Sequence, residues 1–568
     1  MNTVLAKPMY EWNNLDWKQI ESKGFKLQKR IYQAERRGDV KTVRKLQRLL
    51  TKSWSAKLLA VRRITQDNQG KRTAGIDGVK LLTPPQRLKL TEDLNLNTKA
   101  APLRRVWIPK PGKDERRPLG IPTMTDRAKQ TLVKFALEPE WEAKFEPNSY
   151  GFRPGRSCWD AIGAIYVGVN RKSKWILDAD IAQCFDRIKH EALLKKINTS
   201  PKFRRQIKSW LKAGVLEGDK LFPTKEGTPQ GGAISPLLAN IALHGLETII
   251  KEAFPRSRKL QNPPLVIRYA DDFVCLHENR EIVEECQQII SIWLTEIGLE
   301  LKPSKTKIAH TLNKSEHEAG FNFLGFNIRQ YPAGKTKTGN GTDRKPLGFK
   351  TNIKPSKESI KRHSGKLRQT IEEMKDANQE RLILALNPMI RGWARYYSTV
   401  CSKATFTRLS ETVWQKLRAW ANHRHSNKGK KWVVSKYWRI GDGEGWVFAP
   451  RNRKLRLWKH AETSIVRHIK VQSKRSPFDG DWIYWSSRLG QFPDISLRVT
   501  KLLKRQKGKC NWCGLYFRNG DVLEVDHKIP KALKGKDAYY NLQVIHKHCH
   551  DIKTAEDLEI MKGMNDNH

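Results

Sequence analysis

Apolar residues recur every three or four positions near the start of the chain. Between residues 17 and 63, Lys and Arg fill the other faces, and the apolar stripe consists of Val43, Leu46, Leu50, Trp54, Leu58 and Val61. This spacing predicts amphipathic helices that bury the stripe and leave a basic face exposed. Residues 67–83 contain three Gly and precede Pro84-Pro85, so we expect a loop there.

The pattern changes along the rest of the chain. From about residue 100 to 330, short apolar runs alternate with helical stretches, which predicts an α+β core. A Gly- and Lys-rich linker is expected at 333–347, and helical periodicity returns at 356–425. A Trp-rich basic stretch at 432–500 precedes a compact Cys/His tail at 505–555. The chain is therefore predicted to be an α+β protein of several domains.

The net charge narrows the class of partner. The 568 residues (65.7 kDa) include 108 Lys and Arg against 58 Asp and Glu, a formal net charge of +50. Lys and Arg contacts to phosphates release the counterions condensed on a nucleic acid, so a nucleic acid is the expected partner. The alternative is that the charge serves only to keep the protein soluble. The hydrophobic content of 38%, with 19 Trp, excludes a disordered basic tail. Charge alone does not distinguish RNA from DNA.

No apolar run approaches the roughly 18 residues that span a bilayer. Residues 1–14 include Pro8, Glu11 and Trp12 where a signal peptide would be apolar. We therefore expect no membrane insertion and no secretion, and we expect a cytoplasmic location. Three of the 8 Cys lie in the last 60 residues, which favours a local metal site in a reducing compartment over a disulfide framework.

The strongest chemical signal is an acidic pair between two apolar runs, in Tyr269-Ala270-Asp271-Asp272-Phe273. The flanking residues predict a β-hairpin with carboxylates at its turn. Upstream, residues 174–181 predict a strand that ends in Asp178-Ala179-Asp180. One carboxylate from that strand end and one or two from the hairpin can hold two divalent ions about 3.5–4 Å apart, as phosphoryl transfer requires.

Seven further motifs follow one another along the chain. They are Thr73-Ala74-Gly75-Ile76-Asp77-Gly78, Ile108-Pro109-Lys110-Pro111, Arg116-Arg117-Pro118-Leu119-Gly120-Ile121-Pro122, Tyr150-Gly151-Phe152-Arg153-Pro154-Gly155-Arg156-Ser157, Gly227-Thr228-Pro229-Gln230-Gly231-Gly232, Leu301-Lys302-Pro303-Ser304-Lys305-Thr306-Lys307 and Phe323-Leu324-Gly325-Phe326. In this order, and together with the acidic hairpin, they resemble the reverse transcriptases of bacterial group II intron-encoded proteins. The resemblance implies right-hand-like fingers and palm and deoxynucleotide (dNTP) substrates.

The resemblance implies roles for individual residues of the polymerase site. Asp180, Asp271 and Asp272 would bind two Mg²⁺ ions with help from the Ile181 carbonyl, whereas the nearby Asp178 and Asp186 would be structural. The residues expected around the nucleotide are Lys110, Arg117, Phe185, Gln230, Gly231 and Lys305. Lys110 and Arg117 would contact the triphosphate, and Gln230 with Gly231 would line the nucleotide and template pocket.

Two of these residues, Phe185 and Lys305, each have two possible roles. Phe185 would exclude ribonucleotides by abutting the sugar 2′ position, or it would be a core residue. Lys305 would protonate departing pyrophosphate, or it would be a solvated or template-binding lysine.

Residues 386–398 resemble the helical maturase thumb of the same family, which grips intron RNA. Arg391 and Arg395 are the candidates for RNA binding because arginine pairs with phosphate and stacks on bases. Trp393 and Tyr397 are expected in the core. The basic stretch at 432–500 has the position of the family's DNA-binding region, an assignment that rests on position and charge.

The tail combines Cys510-Asn511-Trp512-Cys513 with Glu524-Val525-Asp526-His527 and with the 541–551 segment. Paired ligands at this spacing predict structural Zn²⁺ in a small domain. The acid-His, Asn and His elements resemble HNH nucleases with a ββα-metal fold, and a zinc knuckle that only binds DNA is the alternative.

By this second resemblance, His527 would be the general base and Asn541 would orient the loop that holds it. Asp526 and His550 would bind a catalytic Mg²⁺ or Mn²⁺. The implied Zn²⁺ ligands are Cys510, Cys513, Cys549 and His546, with His548 as the alternative fourth ligand.

Together these features predict a protein that binds group II intron RNA, assists splicing, nicks double-stranded target DNA and copies the RNA template from a DNA primer. The expected domains are an N-terminal extension with the start of the fingers, fingers and palm, maturase thumb, DNA-binding region and HNH endonuclease, at 1–85, 86–355, 356–430, 431–504 and 505–568. The rival interpretations are a reverse transcriptase recruited to defence or sequence diversification and a splicing factor with an inactive polymerase core. The thumb joined to an HNH tail argues against the first, and the intact carboxylates and HNH histidine argue against the second.

Overall fold

The computed structural model describes residues 11–109, 115–255, 262–334, 336–341, 344–440, 445–451, 455–472, 474–518 and 520–565. The N-terminal segment is helical, which confirms the prediction from its periodicity, and its helices are α1 (Trp17–Arg36), α2 (Val40–Lys52), α3 (Trp54–Arg62) and α4 (Pro84–Glu92). Asp16 and Asp39 cap α1 and α2, because their carboxylates accept the backbone N–H groups of Gln19 and Thr42 at 3.0 Å. The predicted apolar stripe is buried except for Trp54, which is 41% exposed.

Two four-stranded sheets follow. Sheet A has the order β2-β1-β4-β5, and sheet B has the order β6-β7-β3-β8 with only antiparallel neighbours. The strands are β1 (Leu103–Pro109), β2 (Arg116–Ile121), β3 (Trp175–Asp180), β4 (Val215–Glu217), β5 (Lys220–Phe222), β6 (Leu265–Tyr269), β7 (Asp272–His277) and β8 (Lys307–His310). The helices between and beside them are α5 (Met124–Lys144), α6 (Cys158–Val169), α7 (Cys184–Arg187), α8 (His190–Ile197), α9 (Pro201–Leu211), α10 (Ser235–Ala242), α11 (Leu246–Ala253) and α12 (Arg280–Glu296).

A smaller sheet joins this part to the helices that follow. Its strands are β9 (Phe321–Phe323), β10 (Phe326–Pro332) and β11 (Phe349–Pro355), and the helices are α13 (Lys357–Glu373), α14 (Gln379–Tyr396) and α15 (Lys403–Arg424). The hydroxyls of Tyr396 and Tyr397 donate to the carbonyls of Leu324 and Gly325 at 3.0 and 3.1 Å. These bonds fix the end of α14 against the turn between β9 and β10.

The Trp-rich stretch contains short elements, namely α16 (Lys430–Tyr437), β12 (Trp438–Ile440), β13 (Trp446–Phe448), α17 (Trp482–Leu489) and α18 (Leu497–Arg505). The expected domain boundary at 355 lies between β11 and α13. The expected boundaries at 85, 430 and 504 lie within α4, at the first residue of α16 and within α18, respectively. Each of these three helices therefore continues across an expected domain boundary. Among the described helices, none is both long and apolar enough to cross a membrane.

The C-terminal tail folds against the beginning of the chain. It contains the antiparallel pair β14 (Leu523–His527) and β15 (Leu542–His546), followed by α19 (Lys547–Asn565). His548 lies with its Nε2 3.4 Å from Glu21 Oε1, and the same carboxylate accepts a hydrogen bond from Arg62 at 2.7 Å. The two ends of the described chain are therefore in contact.

Candidate active sites and metal centre

Two acidic strand ends meet in sheet B. Asp180, the last residue of β3, is the register partner of Asp272, the first residue of β7, and Asp271 lies in the turn between β6 and β7. Opposed residues of antiparallel strands have Cα atoms about 4.5–5.5 Å apart. Ile181 follows as a buried residue that forms a bridge with Leu301. The structure thus brings together residues that are distant along the chain.

A buried arginine that no sequence pattern predicts supports the acidic turn from behind. Arg268 is 2% exposed and donates hydrogen bonds to the Ala270 carbonyl, to Asn240 Oδ1 and to Ser149 Oγ at 3.0, 3.0 and 2.7 Å. Ala270 adopts a positive φ of 57°. A Cβ on Gly151 would lie 2.3 Å from the Ala270 nitrogen, so the turn packs directly on the Gly151 backbone. These contacts hold the turn in one position.

The carboxylates are crowded in a way that suits divalent cations. Burial, followed by the charges of Asp271 and Asp180, raises the pKa of Asp272 to about 7. Burial also raises the pKa of Asp271. Lys305 Nζ forms a salt bridge with Asp180. Among the described residues, Lys305 is the one cationic side chain that forms a salt bridge with any of these three acids. The donor set, oxygens that repel one another until cations bind, fits Mg²⁺.

The neighbouring acids Asp178 and Asp186 are engaged elsewhere. Asp178 lies inside β3 opposite Val274, and its Oδ2 is 3.5 Å from Lys307 Nζ. Burial raises its pKa to about 6. Asp186 accepts hydrogen bonds from Gln230 Nε2 at 3.1 and 3.2 Å. Both contacts are consistent with the structural roles expected for these two residues.

The loop that carries Gln230 and Gly231 is fixed against sheet A. The Gly120 N–H of β2 donates to the Gln230 carbonyl at 2.7 Å. Gly231 has a φ of +117°, and a Cβ there would lie 2.7 Å from the Gly120 carbonyl oxygen, so only glycine fits this approach. Arg117 lies three residues before Gly120 on the same strand and is exposed. Lys110, the other expected triphosphate contact, lies outside the described residues.

Two aromatic rings, those of Phe152 and Phe185, contact each other, and Phe152 follows Gly151, on which the acidic turn packs. Phe185, on the single turn α7, is half-buried and packs against the main core. Phe152 is 49% exposed, has a φ of 58° and meets Phe185 edge-on with ring centroids 6.0 Å apart. The more accessible ring is therefore Phe152, a member of the 150–157 motif for which the sequence predicts no individual role. Both rings are candidates for the sugar contact.

The tail contains a compact cluster of metal-binding side chains. One ligand atom each from Cys510, Cys513, His546 and Cys549 lies within 4.8 Å of the others. His546 Nδ1 is 3.4 Å from Cys513 Sγ, whereas His548 contacts Glu21 instead. Of the two histidines, it is therefore His546 that lies within the cluster. Three sulfurs and one imidazole at this spacing are compatible with tetrahedral Zn²⁺.

Five further side chains lie on or beside the β14–β15 strand pair. Asp526 and His527 end β14, and Asp526 Oδ1 is 3.8 Å from His550 Nε2 on α19. His527 Nε2 is 3.3 Å from Asp537 Oδ1. The Asn541 side chain is buried, accepts the Ile529 N–H at 2.9 Å, and donates to the carbonyls of Ile529 and Lys536 at 3.0 Å. Asn541 thus closes the loop that follows His527.

Sequence profiles of four families match the chain in order. They are "N-terminal domain of reverse transcriptase" at 12–94, "Reverse transcriptase (RNA-dependent DNA polymerase)" at 108–328, "Group II intron, maturase-specific domain" at 360–438 and "HNH endonuclease" at 510–556. The chain is also 32% identical to Protein YkfC of Escherichia coli (strain K12) over 329 residues, 50% of this chain and 83% of YkfC. It belongs to the group II intron-encoded reverse transcriptase–maturase family. This member carries an HNH domain.

Other relatives extend the comparison. The Group II intron-encoded protein LtrA of Lactococcus lactis subsp. cremoris is 32% identical over 297 residues, 42% of this chain and 48% of LtrA. The Uncharacterized 91 kDa protein in cob intron of Schizosaccharomyces pombe is 28% identical over 368 residues, 54% of this chain and 44% of that protein. This chain spans about half the length of these two relatives. The matched domains carry RNA-directed DNA polymerase and endonuclease activities, and the maturase domain adds a role in intron splicing.

The two arginines proposed to bind RNA in the maturase segment differ in their exposure to solvent. Arg391 is exposed, and its guanidinium lies 4.7 Å from the Trp458 ring centroid. Arg395 is half-buried, and burial lowers its pKa. Trp393 stacks on His363 with ring centroids 4.7 Å apart, and Tyr397 is 3% exposed. The expected core positions are therefore largely buried, and Arg391 is the more accessible of the two arginines.

Proposed function

We propose that this family member binds its intron RNA, assists splicing, nicks target DNA with the HNH domain and copies the RNA by target-primed synthesis. The observation that carries the proposal is the meeting of Asp180 with the Asp271–Asp272 turn in a chain that also has maturase and HNH domains. The partners are intron RNA in a ribonucleoprotein, double-stranded target DNA and an RNA template with a DNA primer. The place of action is the bacterial cytoplasm, at the nucleoid when DNA is engaged.

In the polymerase, sheet A belongs to the fingers and sheet B to the palm. Asp180, Asp271 and Asp272 would hold two Mg²⁺ ions, which would supply activation of the primer 3′-hydroxyl and stabilisation of the leaving oxygen. The burial and the neighbouring carboxylates that raise the pKa of Asp272 support this assignment. Bound cations would offset the repulsion between these carboxylates and favour their ionised forms. Arg117 and Lys110 would contact the dNTP phosphates. Gln230 and Gly231 line the nucleotide and template pocket, a role supported by their attachment to the strand of Arg117.

Lys305 keeps two roles within this proposal. Its salt bridge with Asp180 places a proton donor beside the carboxylates, where it could protonate departing pyrophosphate. The same ammonium could instead hold the template strand.

In the HNH domain, His527 would act as the general base that activates water. Asp526 and His550 would hold a Mg²⁺ or Mn²⁺ ion, and Asn541 would orient the loop after the base. Cys510, Cys513, His546 and Cys549 would hold Zn²⁺ in a ββα-metal fold, an assignment supported by their common cluster.

The helices α13–α15 would form the maturase thumb, where Arg391 and Arg395 contact intron RNA. The stretch at 431–504 would bind target DNA, and its support is its charge and its position along the chain between the thumb and the nuclease.

A double variant, Asp271→Ala with Asp272→Ala, tests the polymerase site. We expect DNA synthesis in a primer-extension assay to fall by about 10³-fold or more, because the metal clamp contributes several kcal/mol. Binding and splicing of intron RNA should persist. Asp178→Asn, on the same strand as Asp180, is the matched control and should extend primers normally. Continued extension by the double variant would contradict the assignment and would reopen the identity of the metal-binding acids.

A second variant, His527→Ala, tests the nuclease. Nicking of one strand of target DNA should stop, since water loses its base, while primer extension by the same polypeptide is unchanged. The polymerase thus serves as an internal control for folding. An unchanged nicking rate would show that His527 is not the base and would favour the DNA-binding zinc knuckle.

A further inference from the structure

The two carboxylate oxygens of Asp526 lie in different surroundings. Oδ2 accepts a hydrogen bond from Gln543 Nε2 at 2.9 Å and lies 3.5 Å from Lys553 Nζ. Oδ1 lies 3.8 Å from His550 Nε2. Two atoms bound at about 2.1 Å to one ion are about 3–4 Å apart, so Oδ1 and His550 are spaced to share a divalent ion. Oδ2 is already held by two donors.

Lys553 is a buried lysine whose charge is balanced by two acids. It is 5% exposed, and its Nζ lies 2.5 Å from Asp557 Oδ2, one turn further along α19. Burying an ammonium is costly unless it is paired, and here both Asp526 and Asp557 contact it. The lysine is therefore held beside Asp526 rather than extended into solvent.

Gln543 completes the arrangement from the opposite strand. It is the register partner of Asp526 in the β14–β15 pair, and it is 6% exposed. Its amide reaches Oδ2 across the two strands, while Lys553 approaches the same oxygen from α19. Residues from the strand pair and from the helix thus converge on one oxygen of Asp526.

We infer that Lys553 and Gln543 are positioning residues for the divalent ion of the HNH site. They hold Oδ2 so that Oδ1 stays directed towards His550 and ready for the ion. Partners of this kind orient metal ligands, and their loss weakens metal binding by about 10–100-fold. The inference rests on the proposed function, because it takes Asp526 and His550 as the ligands.

The main experiment compares Lys553→Met with a matched control on the same helix, Lys547→Met. Lys547 also forms a pair four residues on, with Asp551 at 3.0 Å, but this pair is partly exposed and does not contact Asp526. We expect Lys553→Met to raise the Mn²⁺ concentration for half-maximal nicking by about 10-fold or more, with little change in kcat at saturating Mn²⁺. Lys547→Met should behave as the parent protein.

A direct binding measurement separates affinity from activity. In the full chain with Asp271→Ala and Asp272→Ala, Mn²⁺ titrated under electron paramagnetic resonance reports the HNH site without the polymerase ions. Lys553→Met should weaken this binding by the same factor, and Lys553→Arg should restore most of it. Unchanged Mn²⁺ affinity with a lower kcat would overturn the inference, since the lysine would then act on the DNA phosphate.

A second variant, Gln543→Met, keeps the inference testable if Lys553→Met fails to fold. It removes a donor to Oδ2 without leaving a buried charge unpaired, so it should weaken Mn²⁺ binding even if Lys553→Met loses its Zn²⁺. Normal Mn²⁺ affinity in Gln543→Met with full Zn²⁺ content would also overturn the inference. Failure of the proposed function looks different, because His527→Ala would then nick DNA normally.

Discussion

Replacing Asp272 by Asn should inactivate the polymerase and yet stabilise the metal-free protein at alkaline pH. The reason is the crowding of carboxylates at the end of sheet B. Burial and the charges of Asp271 and Asp180 raise the pKa of Asp272 from 3.8 to about 7. Because the folded-state pKa of this acid is raised, stability is lost as the pH rises from about 4 through 7, where the unfolded chain ionises but the folded chain resists. Asn is uncharged, so the variant does not lose stability in this way as the pH rises.

The size of the effect follows from the pKa difference. A pKa that moves from 3.8 to about 7 corresponds to about 4 kcal/mol of destabilisation once the group is ionised. The side chain keeps partial contact with solvent, which screens it, so we expect about 2 kcal/mol in practice. For a domain of about 200 residues this raises the apparent Tm by roughly 4–8 °C at pH 8. At pH 4, where the carboxyl is protonated in the folded chain and only half ionised in the unfolded chain, the gain should nearly vanish.

Thermal unfolding with and without Mg²⁺ provides the assay. His550→Ala is included in every form so that the HNH site does not contribute. Mg²⁺ should raise the Tm of the parent protein at pH 8 and should do so far less in Asp272→Asn. Asp178→Asn is the control, because its stability also rises but its response to Mg²⁺ and its primer extension persist. A Tm of Asp272→Asn at pH 8 no higher than that of the parent would refute the reasoning.

Three more predictions concern single side chains. If Phe185 or Phe152 contacts the sugar, replacing that residue by Ala should raise ribonucleotide incorporation by about 10-fold or more. The measurement is the ratio of kcat/KM for dNTP to that for rNTP. An unchanged ratio in both variants would show that neither ring excludes ribonucleotides. His546→Ala should lose bound Zn²⁺ and His548→Ala should keep it, as metal analysis will report; equal Zn²⁺ content would contradict the ligand assignment. Arg391→Ala should weaken intron RNA binding and reduce the slope of log K against log salt by about 1; an unchanged slope would mean that it contacts no phosphate.

Local patterns along the chain predict the elements that carry the chemistry. The apolar runs on both sides of Asp271 and Asp272 predict the β6–β7 hairpin, and the helical spacing of Val43 and Leu50 predicts α2. In each case a period of two or of three to four residues decides which face is buried. The short spacing of Cys510 and Cys513 is equally local, because two thiolates separated by two residues can bind the same ion.

Contacts that join distant segments have no such local signature. Arg268 in a strand looks like a surface residue, yet it is buried and donates hydrogen bonds to Ser149 and Asn240 from other parts of the chain. The separation of His546 from His548 is also set by distant residues, because His548 contacts Glu21 of α1 and lies outside the Cys/His cluster. A buried polar group is stable only where partners exist, and those partners are set by the whole fold.

The contact between the two ends of the described chain connects the Cys/His cluster of the tail to the N-terminal helices. His548 lies between the cluster residues His546 and Cys549 in sequence, and it contacts Glu21, which is itself paired with Arg62. An ion bound by His546 and Cys549 would therefore also restrain the His548 ring, which lies against this buried ion pair. A buried ion pair is stable only while its neighbours offset the cost of its desolvation, so we expect loss of a bound ion to disturb α1 and α3 as well as the nuclease. The tail thus packs on the N-terminal core, and a metal bound there would contribute to the order of helices far from it in sequence.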